Sequence, residues 1–207
     1  MPAGQNEDGV GRAAHWTDDP RFEVIVDVPV FRDAVSTCAA NAPRLPMSAE
    51  QFLAVAAAVI PIRGFSRLPQ SARRGRAFAL KRGLHTGKSR DDQMPAPVGL
   101  AIATVLCSMA YHGQRVKSVE QGENGCTLVG EIPSDRKTFG GELRISIERL
   151  DNRRATVQAT ANIPGQLYDW GKSKQTLAAL FADILALPES EMAATGVAAI
   201  LTAQDDS

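Results

Sequence analysis

The most regular pattern in the chain lies between residues 142 and 163. Leu143, Ile145 and Ile147 alternate with Arg144, Ser146 and Glu148. Beyond Asp151-Asn152, Ala155, Val157, Ala159, Ala161 and Ile163 alternate with Thr156, Gln158, Thr160 and Asn162. A period of two turns one side of each segment toward a core and the other toward water. The two segments therefore predict a β-hairpin. Upstream, residues 116–120 and 126–132 predict two further strands. They are joined by Gln121-Gly122-Glu123-Asn124-Gly125, in which Asn-Gly is hairpin-turn chemistry.

Elsewhere the apolar residues recur at helical spacing. Residues 98–112 are rich in Ala, Leu and Met, and Gly113 is placed to end a helix there. Ser48 and Gln51 fit a capping box ahead of Phe52, Val55, Ala56 and Val59, so a helix is expected over 48–60. Leu177, Leu180, Phe181, Ile184 and Leu185 give one apolar face to a helix over 170–187. Asp169 is its expected N-cap, and Pro188 stops it. Residues 22–30, FEVIVDVPV, have the β-branched content of a strand, with Pro29 suited to a strand end or a sheet edge.

These elements predict an α+β fold: an antiparallel sheet of four or more strands packed against an amphipathic C-terminal helix. The expected division is a disordered segment 1–20, a strand, helix and basic segment over 21–96, an α-ββββ-α core over 97–188, and an acidic tail over 189–207. Residues 21–96 belong to the core domain or form a small unit of their own. The sequence of 207 residues is long enough to bury a core without cross-links.

Charge adds one feature. The formal net charge is zero, but the signs are segregated. Residues 63–90 hold Arg63, Arg67, Arg73, Arg74, Arg76, Lys81, Arg82, Lys88 and Arg90 without an acid. Arg73, Arg74, Arg76, Lys81 and Arg82 are the candidates for contact with an anionic partner, nucleic acid or lipid headgroups. Only Phe65 and Phe78 interleave with them, too few for a platform that stacks single-stranded bases.

Catalytic and metal chemistry find little support. Cys38, Cys107 and Cys126 are scattered and lack CxxC spacing, and there are three histidines, His15, His85 and His112. Neither a disulfide framework nor a metal site is expected, and no cofactor is implied. Gly87-Lys88-Ser89 and Gly171-Lys172-Ser173 lack the earlier glycine of a phosphate-binding loop, since Arg82 and Gln166 stand in its place. No Gly-x-Ser-x-Gly elbow occurs, and Glu131, Asp135, Glu142 and Glu148 are not evidently paired. The residues IPGQLYDWGKS over 163–173 are the most unusual local sequence. There Tyr168, Asp169 and Lys172 could line a pocket mouth, with Trp170 as an apolar wall. Alternatively Asp169 caps the helix and Trp170 packs beneath the corner.

The hairpin over 142–163, the corner Pro164-Gly165…Asp169-Trp170-Gly171 and the helix through Leu185 resemble the later part of helix-grip domains, the START-like and polyketide-cyclase-like proteins. The likeness covers about residues 97–187 and rests on the order of elements. It implies a cavity between sheet and closing helix, and an apolar or amphipathic small molecule as ligand. It transfers no catalytic residue. The expected function is therefore small-molecule binding, with an interaction module acting through 63–90 as the alternative and an enzyme last. The polar, acidic start of the sequence is neither a signal nor a transit peptide, and no apolar run spans a bilayer, so a cytoplasmic address is expected.

Overall fold

Helix Val98–Tyr111 sits at the middle of the fold, and every residue from Val98 to Ala110 is buried. A helix that is apolar on all sides must be enclosed on all sides. The computed structural model describes residues 16–42, 51, 52, 54, 62, 63, 88–134, 140–163 and 171–186, and the enclosure is built from these. In chain order they form a 3₁₀ turn (Trp16–Asp18), α1 (Phe22–Val26), α2 (Pro29–Ala40), β1 (Ile62–Arg63), β2 (Lys88–Met94), α3 (Val98–Tyr111), β3 (Arg115–Gln121), β4 (Gly125–Ile132), β5 (Gly141–Asp151), β6 (Arg154–Asn162) and α4 (Lys172–Leu185).

The strands make one sheet in the order β1-β3-β4-β5-β6-β2. Five of them are antiparallel; the two-residue β1 joins β3 in parallel. Leu143, Ile145, Ile147, Ala155, Val157, Ala159 and Ala161 are all fully buried, as their alternation requires. β3 departs from strict alternation. A bulge between Val116 and Ser118 inserts one residue, so Val116 and Val119 both reach the core although they are three apart. The opposite face is polar, with Thr127 bonded to Ser146 at 2.8 Å and Arg144 to Glu120 at 3.1 Å.

The sheet covers one side of α3, and α1, α2 and α4 pack around the rest. One hydrophobic cluster runs through all of them, from Trp16 to Ile184. α3 ends as the sequence predicts, with His112 as C-cap and Gly113 at φ 65°.

One expectation is corrected. Residues 22–30 are not a strand: α1 occupies Phe22–Val26 and α2 begins at Pro29. The buried residues are Phe22, Ile25 and Val26, then Phe31, Ala34, Val35, Cys38 and Ala39, which is helical spacing. Pro29 sits at the start of α2, where its missing N–H costs nothing. The period overrides the β-branched composition. α4 has Gly171 at its N-cap (φ 83°); Asp169, the N-cap expected from the sequence, lies outside the described residues. Within the expected sheet of four or more strands, β2 is the further antiparallel strand, and it carries Lys88 and Arg90 of the basic segment. It is an edge strand, and its residues before Met94 are not buried. A polar, charged sequence there discourages pairing with other chains. Of the expected helix over 48–60, Gln51, Phe52 and Ala54 are helical and the rest lies outside the described residues. The acidic tail also lies outside them.

The chain before α1 is tied across the end of this assembly. Gln121 Oε1 accepts the Phe22 N–H at 2.9 Å, and its Nε2 donates to the Pro20 carbonyl at 2.9 Å. Asp19 is buried and takes the Arg21 N–H and guanidinium. These carbonyls press on the first turn of α3. A Cβ at Gly99 would lie 2.2 Å from the Trp16 oxygen and 2.7 Å from that of Thr17. Both obstacles are backbone, so they cannot swing away. Gly99→Ala is expected to destabilise the protein by about 3 kcal/mol through overpacking. Urea unfolding of the two proteins measures this, and an unchanged midpoint would mean that the 16–19 segment does not lie against α3.

Candidate functional site

α3 is not wholly apolar. Thr104 and Ser108 face inward among Leu, Ile, Val and Met. Thr104 satisfies its hydroxyl within the helix, donating to the Leu100 carbonyl at 2.9 Å. Ser108 instead reaches another helix: its Oγ donates to Asp183 Oδ2 on α4. One turn further along α3, His112 Nε2 lies 3.0 Å from the same oxygen. Positions 108 and 112 are one turn apart, so both groups project toward one point. A single carboxylate oxygen thus joins two residues of α3 to α4.

Burial differs between the members. Asp183 is 9% exposed, whereas the His112 side chain is 25% exposed. The cluster therefore runs from the core to the surface. Tyr111 meets the His112 ring edge-on at 5.1 Å between centroids. Among the described residues, His112 Nδ1 has no protein partner. With Nε2 donating to a carboxylate, a neutral ring is fixed in the tautomer that leaves Nδ1 able to accept a hydrogen bond or a proton. The Ser108 hydroxyl is bound to the carboxylate, not to the imidazole. The three residues are therefore not a serine nucleophile with its base.

The α2–α3 contact nearby holds two thiols. Cys38 and Cys107 are buried and share a hydrogen bond, which lowers Cys38 and, together with burial, raises Cys107 well above the usual thiol range. Cys126, on β4, is pushed up to about 12 by burial. All three cysteines are free, and a thiol so raised is inert. Among the described residues no group of three or more His, Cys, Asp or Glu is placed to hold a metal ion.

Most of the residues singled out in the sequence are not among the described residues. Tyr168, Asp169 and Trp170 fall outside the described residues, as do Arg73, Arg74, Arg76, Lys81 and Arg82. Lys172 opens α4 and donates from Nζ to the Pro133 carbonyl at 2.5 Å, which pins the start of the helix to the end of β4. Arg90 stacks on the fully buried Phe181 ring at 4.5 Å from its centroid and pairs with Asp92 at 3.5 Å. The Ser108–His112–Asp183 cluster was not anticipated. Its one sequence signal is Asp183 between Ala182 and Ile184 in an apolar stretch of α4. No helix among the described residues is long and apolar enough to cross a membrane. No family model, no curated protein and no solved structure matches the chain.

A buried carboxylate is costly unless its donors are kept. Asp183→Ala is expected to lose about 1–3 kcal/mol, because it leaves the buried Ser108 hydroxyl without its acceptor. The double-mutant cycle of Asp183→Ala with Ser108→Ala, read by urea denaturation, should give a coupling energy of about 1 kcal/mol or more. Additive effects would show that the contact is not made in solution.

Proposed function

We propose that the protein binds an amphipathic small molecule at the α3–α4 contact, with its polar end at His112. The observation that carries this reading is the cluster itself. An apolar pair would join two helices at least as well as a buried carboxylate does. Polar groups kept in such a place, with one ring opening to the surface, are what orient a ligand in an otherwise apolar site. The apolar residues of α4 and the alanines of β6 supply the complementary surface. Ala155, Ala159 and Ala161 are fully buried. Ligand entry in this reading displaces α4 from the sheet, and the resemblance to helix-grip domains agrees with that role for the closing helix. The reading places the protein in the cytoplasm, where three free, buried thiols stay reduced.

The test is native mass spectrometry of the purified protein, followed by titration with a panel of amphiphiles. A bound molecule is expected, with affinity reduced about tenfold or more by His112→Ala and by Asp183→Asn, as for loss of a hydrogen bond to a charged pair. The conservative His112→Gln keeps a polar group and is a second variant should the alanine fail to fold. Protein that carries no adduct and binds none of the panel would sink the proposal.

A second reading rests on the segregation of charge in the sequence. The cations of 63–90, without an acid among them, would attract an anionic partner. Reversing Arg73, Arg74 and Arg76 to glutamate is expected to abolish salt-dependent binding to an oligonucleotide or to anionic vesicles. Unchanged binding would remove the basis for it.

A further inference from the structure

We infer that the head group held at His112 carries a hydrogen-bond donor and no negative charge, as an alcohol or an amine does; this deepens the ligand-binding reading above and rests on it. The ring presents an acceptor. Nε2 is engaged with Asp183 Oδ2 at 3.0 Å, so in the neutral tautomer the remaining nitrogen, Nδ1, has a lone pair and no proton. Nδ1 and Asp183 Oδ1 are the side-chain polar atoms of the cluster without a partner among the described residues, and both are acceptors. A ligand that completes the site must therefore donate.

Charge points the same way. Asp183 is bonded to a neutral hydroxyl and to an imidazole; among the described residues no lysine or arginine pairs with it. Its negative charge lies against the other nitrogen of the same ring. A carboxylate or phosphate head group would bring a second negative charge to that point and would have no donor at Nδ1 to meet. Arg90, across Phe181 on the same helix, does not offset this. Its guanidinium is held by the ring face and by Asp92. A hydroxyl donates without repulsion, and an ammonium donates and is attracted by the carboxylate as well.

Three probes of equal chain length separate the possibilities: 1-decanol, decylamine and decanoate. Each is titrated into the intact protein at one fixed pH. The readout is the ring nitrogen shifts of His112 with binding measured by calorimetry. Decanol or decylamine is expected to move Nδ1 and to bind about tenfold or more tighter than decanoate, a difference that ordinary charge repulsion at a partly exposed site supplies. Asp183→Asn should narrow that difference; it removes the charge and leaves an acceptor for Ser108. Decanoate binding as well as the other two, with the His112 shift, would overturn the head-group inference and leave the ligand-binding reading standing. Absence of any His112 shift with all three would overturn the ligand-binding reading itself.

Discussion

Everything in this fold answers to one constraint: α3 has no side that can face water. From Val98 to Ala110 every residue is covered, so each neighbouring element is fixed by the part of the helix it must cover. The sheet supplies a broad apolar floor. α2 and α4 close the flanks, and the chain before α1 crosses the end of the helix at Gly99. Burial of this size is the dominant favourable contribution to stability, at about 1.5–3 kcal/mol for each large apolar side chain. By comparison, the exposed ion pairs of the sheet's outer face contribute little.

The parts governed by a single, local rule were legible in the sequence. Residues 143–161 alternate because one sheet face is wet and the other dry, and α3 and α4 have long apolar periods. Residues 22–30 were misread because Val and Ile favour strands in composition while Phe22, Ile25 and Val26 recur at helical spacing; tertiary burial decides between the two. β2 was invisible for a different reason. Its sequence, KSRDDQM, has no buried face to impose a pattern, because it holds its place by backbone pairing with β6. The bulge in β3 likewise breaks the period that would have announced it.

The candidate site was illegible because no local rule assembles it. Ser108 and His112 are one turn apart, but Asp183 comes from a helix more than seventy positions later. Only the packing of α4 against α3 brings them together. Lys172, by contrast, was noticed for its unusual surroundings and proves to anchor the start of α4 to the Pro133 carbonyl. Unusual composition marked a residue that positions the helix. The chemistry lies eleven residues further on, where an acid interrupts an apolar face.

The place of β2 in the sheet has a kinetic consequence. β2 precedes α3 in the chain, yet it pairs with β6, the last strand, with Lys88 opposite Ala161. The hairpins from β3 to β6 can form from near neighbours. The edge strand beside β6 and α4 must wait for a loop of about seventy residues to close, and such long-range pairing is slow. Until then, the backbone edge of β6 stands open. The polar sequence of β2 thus guards more than a finished edge: the strand that closes last is the one least able to recruit a wrong partner while it waits.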